Sequence, residues 1–262
     1  MLVQRFVSGL VLIPIVIFVV WLGGPWFAGL VSLVALRATW EFYELVRHGG
    51  HRPSDVAGLA LVALCMLDAY FPRQGIAVLG LVIVIMALML RQVLRKDANG
   101  FLTNWALTLT GALYVGALLS HLIALRSLAH GMQWILLTFA VTWVCDTAAY
   151  LVGSKWGRHG FFTHVSPHKT WEGAIAGFIS GIITAVIAGR FVYLAVWQSL
   201  LTGAVLVVGL TFGDLAESLV KRQIGVKDSS HLIPGHGGML DRVDSLLFAG
   251  VIAYYFAIVF AR

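Results

Sequence analysis

The sequence predicts an all-α, polytopic integral membrane protein with about nine transmembrane helices and a cytoplasmic N-terminus. Three observations carry this. Sixty per cent of the 262 residues are hydrophobic and only 11% are charged, with a mean hydropathy of +0.90, a balance foreign to soluble domains. Apolar runs recur along the whole chain, at the roughly 17–25 residues that a helix needs to cross a bilayer. The Lys and Arg residues gather in alternate connections, as the positive-inside rule requires.

The first run, 6–22, is followed by no convincing small-x-small cleavage site, so it reads as a retained helix and not as a signal peptide. It meets the second, 25–45, at Gly23, Gly24 and Pro25, which predict a tight turn. The third, 54–71, is the shortest. With 75–93 and 104–126 these make a scaffold-like part, residues 1–130. The last four, 133–153, 171–189, 193–213 and 243–261, form the active half, 131–262, of a single membrane domain. With the N-terminus inside, fourteen of the eighteen Lys and Arg residues lie inside, leaving Arg73, Arg126, Arg190 and Arg262 outside. Eleven of the twelve acidic residues share the inner side, Asp68 excepted. Insertion explains the cations; carboxylates on the same face suggest chemistry there. The inner connections, 46–53, 94–103, 154–170 and 214–242, are the long ones, and long loops on rigid elements tend to carry function. Cys65 and Cys145 sit inside apolar runs and give neither a disulfide framework nor a metal-type spacing.

Three constellations stand out. Trp143, Asp146, Thr147 and Tyr150 fall at i, i+3, i+4 and i+7, one face of the sixth span. They suit either a polar seam between helices or the lining of a substrate cavity. The loop 153–173 holds Lys155, Arg158, Lys169 and three histidines among glycines. In it, Ser166-Pro167 predicts an N-cap and first helical residue, with a helix N-terminus suited to phosphate. His159, His164 and His168 lack a zinc spacing.

The third and densest constellation is 213–245, which packs nine charged residues between two apolar runs. Asp214, Glu217, Ser218 and Lys221 share one face where the eighth helix extends into the cytoplasm, and Asp241, Asp244 and Ser245 share one at the start of the ninth. Two acidic stripes would thus converge, and oxygen ligands of this kind suit a hard cation such as Mg²⁺. Lys221, Arg222 and Lys227 add positive charge, and His236, Gly237 and Gly238 allow close backbone approach to a ligand. The blander reading makes Asp241 a helix cap and Asp214 and Lys221 members of seam ion pairs. Metal, cations and open backbone together are the equipment of phosphoryl or nucleotidyl transfer.

The stretch SLVKRQIGVKDSSHLIPGHGGMLDRVD, 218–244, closely resembles the pattern of CDP-diacylglycerol synthases, or phosphatidate cytidylyltransferases. Trp143-x-x-Asp146-Thr-Ala-Ala-Tyr150 and Ser166-Pro167-x-Lys169-Thr170-Trp171-Glu172-Gly173 agree with it. The likeness covers the C-terminal half; the N-terminal half matches loosely, at Trp40-Glu41-Phe42. The resemblance implies that CTP and phosphatidic acid give CDP-diacylglycerol and pyrophosphate at the inner membrane face. It implies Mg²⁺ held by Asp214 and Asp241, with a second cation near Asp244 or Ser218. Lys169, Lys221, Arg222 and Lys227 would serve the phosphates, with Asp214, Asp241, Lys221 and Lys227 at the catalytic centre. Ser166, Thr170, Glu172, Asp146, Asp228, Arg242, His236, Gly237 and Gly238 would complete the substrate site. Where the family often has a basic residue, this chain has His168, whose charge depends on pH.

Two rivals compete. A membrane enzyme that uses CTP to phosphorylate a lipid alcohol would need a base, for which Asp146 or Asp228 could serve. An ion-coupled transporter would carry its charges on toward the outer leaflet, and the outer halves of these runs lack them. Expected partners are CTP, phosphatidic acid and membrane lipids. Nucleic acid is not expected, since the basic residues lie at membrane edges. A homodimer is compatible with the sequence, although no small-xxx-small face is decisive enough to mark its interface. The expected location is a bacterial inner membrane.

Overall fold

The computed structural model describes residues 2–72, 74–95, 99–230 and 237–260, with side chains described from Leu12 onward. Among these residues the chain is helical, without a strand; one isolated bridge joins Gly160 to Thr170. The helices are α1 (Leu2–Leu22), α2 (Gly24–His48), α3 (Asp55–Tyr70), α4 (Ile76–Val93), α5 (Phe101–Gly111), α6 (Leu118–Ser127), α7 (Gly131–Trp156), α8 (Trp171–Gly189), α9 (Val196–Ile224) and α10 (Leu240–Phe260). A π-helical stretch, Ala112–Ala117, joins α5 to α6 into one rod. Each predicted span therefore coincides with a helical rod.

Six of these rods are long and apolar enough to cross a membrane: Ile76–Val93, Phe101–Ser127, Gly131–Trp156, Trp171–Val192, Val196–Ile224 and Leu240–Phe260. A shorter apolar helix covers Leu12–Leu22. The other two rods differ for visible reasons. α3 has only 16 residues, and α2 carries Arg37, Glu41, Glu44 and Arg47 in its second half.

The connections sort onto two ends of the bundle. At one end, Arg126 Nε donates to the Val20 carbonyl beside the α1–α2 turn, at 3.0 Å. There the predicted turn has Gly23 at φ 63° and Gly24 at φ 48°, with Pro25 opening α2, backbone angles that side chains with a Cβ resist. His130 and Tyr193 meet ring to ring at this same end. The other end gathers the long connections. The Arg52 amide donates to Asn104 at 2.7 Å, Gly49 lies beside Ile224, and Arg222 Nε donates to the Val165 carbonyl at 3.3 Å.

A continuous core of buried residues runs through α2, α3, α6, α7 and α10, around Tyr43, Leu61, Leu119, Trp134 and Leu247. Large apolar side chains on α1, α4 and α8 stay exposed, among them Phe18, Leu79, Met86, Ile179 and Ile187. In a bilayer such a face is solvated by lipid. Within the active half, α8 places Gly173, Gly177, Gly181, Ala185 and Gly189 on one buried stripe. A Cβ on Gly173 would lie 2.7 Å from the Ala149 carbonyl of α7, so the small residues let the helices close on each other.

Candidate active site

Three helices and one loop frame a cavity of about 580 Å³ at the loop-rich end. α7 supplies Asp146 and Tyr150, the loop before α8 supplies His168, Lys169 and Thr170, and α9 supplies Asp214. Cys145, Phe161, Gly177 and Leu210 give it an apolar wall. Lys169 Nζ stands 2.7 Å from Asp214 Oδ2. Asp214 also lies within electrostatic reach of Asp146 and of Asp244 on α10. Carboxylates from three helices therefore gather at Asp214, which Lys169 pairs. Gly213 makes this approach feasible, since a Cβ there would sit 2.7 Å from the Asp244 carbonyl.

Beside the cavity is a second charged knot. Lys221 Nζ pairs with Asp241 Oδ1 at 2.7 Å and with Glu217, its neighbour one helical turn back. Glu217 is only 1% exposed. Asp241 Oδ2 accepts from the Gly238 amide at 2.7 Å, the Ser229 amide at 3.0 Å and the Ser229 hydroxyl at 2.8 Å. Both oxygens of Asp241 are thus engaged in tying the loop after α9 to the start of α10. A second carboxylate shares the task. Glu41 of α2, fully buried, accepts from the Leu240 amide at 2.7 Å and the Ser230 hydroxyl at 2.6 Å, and competes with Asp241 for the single proton of the Ser229 hydroxyl, 3.1 Å away. Arg37 balances it at 3.1 Å. Gly238 threads between these groups, where a Cβ would lie 2.5 Å from Glu41 and closer still to Ser229.

Several expectations are corrected. Ser166-Pro167 does not start a helix. Ser166 closes a turn, its amide donating to the Phe162 carbonyl and its own carbonyl accepting from Lys169. Helix α8 begins at Trp171, capped by Thr170, whose hydroxyl accepts from the Gly173 amide at 3.2 Å. The bridge from Gly160 to Thr170 holds the chain extended up to that cap, as an N-cap residue requires. The cavity face of α7 is also turned from the predicted stripe. It uses Cys145, Asp146, Ala149, Tyr150 and Gly153, while Trp143 packs against Phe139. The reason is that α8 approaches along the side of α7 that lacks bulk.

The remaining sequence candidates take distinct places. Ser218 donates to Asp214 at 3.4 Å. Glu172 accepts from the His159 ring at 2.6 Å. Arg222 braces the loop carbonyls of Val165 and Val226. Lys227, Asp228 and Arg242 are exposed, and among the described residues none of them makes an ion pair. Gly237 adopts φ 79°. His236 lies outside the described residues.

Two residues of the N-terminal half were not singled out as site residues. One is Glu41, which the sequence marked only within the loose likeness at Trp40-Glu41-Phe42. The other is Tyr114, in the π-helical stretch. Its buried hydroxyl has no hydrogen-bond partner among the described residues, and it lies within electrostatic reach of Glu217, Asp244 and Asp214. π-Helical turns occur preferentially at functional sites. Among the described residues no three His, Cys, Asp or Glu side chains form a metal cage. Mg²⁺ seldom uses one; it takes one or two carboxylates together with substrate phosphates.

Fold and site define a class: an all-helical membrane protein whose bundle holds, at one end, a cavity with charged groups set in a largely apolar wall. The chain belongs to the cytidylyltransferase family, whose sequence pattern matches residues 3–260, and it is a nucleotidyltransferase. It is similar to a phosphatidate cytidylyltransferase of Synechocystis sp., with 30% identity covering 97% of this chain and 96% of that one. It is similar to proteins of the same name from Brucella suis, at 32% over 98% and 94%, and Staphylococcus epidermidis, at 34% over 85% of each.

Proposed function

We propose that this chain transfers the cytidylyl group of CTP to phosphatidic acid, giving CDP-diacylglycerol and pyrophosphate. The observation that carries the reading is the Lys169–Asp214 pair on the cavity wall, flanked by Asp146 and Asp244 from two other helices. In the reaction a phosphatidate phosphate oxygen attacks the α-phosphorus of CTP. The bond from that phosphorus to the bridging oxygen breaks, and pyrophosphate leaves with the electron pair. The nucleophile is already anionic, so no general base is needed. The obstacle is repulsion between two polyanions, and fixed positive charge is what lowers it.

The residues divide that work. Lys169, on the cavity wall beside Asp214, is the cation we assign to a substrate phosphate. Lys227 and Arg242, exposed and free of ion pairs among the described residues, are available to CTP. Lys221, Asp241 and Glu41 fix the loop after α9, so Lys221 and Asp241 act largely as positioning residues. Tyr114 offers its hydroxyl to whatever occupies the space among the carboxylates. The apolar wall of Phe161, Leu210 and Gly177 suits the lipid end of phosphatidate. The set also fits a divalent cation: Asp214 and Asp244, with Ser218 beside them, are the ligands we assign to Mg²⁺. Asp241 could join them by releasing Lys221. The bound cation would supply charge neutralisation to the triphosphate.

We further propose nine spans, a cytoplasmic N-terminus and a site facing the cytoplasm of a bacterial inner membrane. The one-sided gathering of Lys and Arg supports this, as does the collection of all long connections at one end of the bundle. The decisive experiment supplies purified protein with phosphatidate, a divalent cation and CTP labelled at the α-phosphate. Label should enter CDP-lipid and depend on all three components. Transfer of γ-label to a lipid alcohol would show a kinase instead, and no transfer would overturn the assignment.

A further inference from the structure

A second cavity, of about 770 Å³, opens at the same loop-rich end but in the N-terminal half. It lies between the α2–α3 connection, the end of α4 and the start of α5. Arg52 reaches it from the first of these, and Arg91 and Arg95 from the second. Insertion bias sets how many cations a connection carries, but it does not require those of separate segments to line one hollow. All three arginines are exposed, so solvent screens them from one another and their guanidinium groups stay open to an anion. Among the described residues no carboxylate pairs with any of the three; Arg91 reaches only the Ser54 hydroxyl, at 3.4 Å.

An independent observation points the same way. Trp105 lines this cavity, and its buried indole N–H has no hydrogen-bond partner among the described residues. A buried donor left unpaired is costly, and indole can only donate. The cavity therefore offers guanidinium groups, the donors that receive a phosphate ester, beside an indole whose N–H lacks a partner among the described residues. Its setting selects the kind. Leu88 and Phe101 form apolar parts of the wall, and Leu90, Val93, Leu94 and Leu102 beside it are exposed. Such a rim suits a ligand whose phosphate sits at the bilayer surface and whose chains continue into it.

We propose that this cavity binds the headgroup phosphate of an anionic phospholipid, at a site separate from the Lys169–Asp214 cavity. The assignment does not rest on the reaction proposed above, and its test reads binding and not turnover. Purified protein is exchanged into mild detergent with phosphatidylglycerol, and lipid retained on folded protein is counted by native mass spectrometry. Replacing Arg52 and Arg95 by Gln should weaken retention by about tenfold or more, as loss of charge-assisted hydrogen bonds does. K169Q, in the active cavity, and R190Q, at the opposite end of the bundle, should keep it. The single variants R52Q and R95Q should each fall between, which provides a reading if the double variant does not fold. Undiminished retention in R52Q/R95Q would overturn the proposal, as would loss in K169Q alone. Release of bound lipid by inorganic phosphate at equal concentration would instead assign the cavity to free phosphate.

Discussion

Asp214 and Asp241 were expected from sequence to act alike, and their surroundings separate them. Asp214 has one lysine partner and two acidic neighbours. Changing it to Asn should cut turnover by ~10²-fold, the usual scale for removing a transition-state contact, while the thermal unfolding midpoint in detergent stays close to that of the unchanged protein. Asp241 is tied to Lys221, Ser229 and Gly238. D241N should lower both turnover and the unfolding midpoint, because it loosens the loop. Equal unfolding midpoints in the two variants would refute this division. Glu41 belongs with Asp241. E41Q keeps the volume but disturbs the Arg37 pair and the acceptors for the Leu240 amide and the Ser230 hydroxyl, so a loss of roughly 1–3 kcal/mol is expected. Gly238→Ala forces a methyl between Ser229 and Glu41 and should cost about 1–3 kcal/mol; a neutral G238A would show that the loop can yield.

At the scale of elements, the α8 glycine stripe is the feature on which the cavity depends. Its glycines face α7 at Ala149 and Cys145, and α9 at Val207. The stripe is thus used within the chain and is not a free dimer face. Gly177→Leu should part α7 from α8, lowering the unfolding midpoint and raising the KM for CTP together. A change in neither would mean that the helices meet elsewhere. The helical runs were legible because each buries or exposes apolar surface over a spanning length. The turn at Gly23 and Gly24 was legible because glycine and proline restrict backbone choices. The start of α8 was not. Ser166-Pro167 and Thr170 are both acceptable caps locally, and the choice fell to Thr170 because the Gly160–Thr170 bridge fixes the loop beforehand.

For the whole molecule, the two ends of the bundle make a prediction about sidedness. The native Cys65 and Cys145 are buried, so single cysteines placed at exposed sites report cleanly. Lys227→Cys and His51→Cys should react with an impermeant maleimide from one side of sealed vesicles. Tyr193→Cys should react from the other. In intact bacteria only Tyr193→Cys should label; labelling of Lys227→Cys there would reverse the proposed orientation. The N-terminal part also reaches the C-terminal helices at this scale: Glu41 accepts from the Leu240 amide, and Tyr114 lies within electrostatic reach of Glu217, Asp244 and Asp214.

Composition and hydrophobic run length alone determined that the chain is a helical membrane protein, because the bilayer forces every span to satisfy its own backbone. The spacing of charges between 213 and 245 likewise drew attention to a stretch whose Asp214 lines the cavity. Neither could say which carboxylate lines the cavity and which holds a loop. That was decided by packing: glycines on α8 and α9 set how closely helices approach, and Glu41, nearly two hundred residues upstream, captures the Leu240 amide. Such pairings depend on distances through space, and a linear pattern carries no record of them.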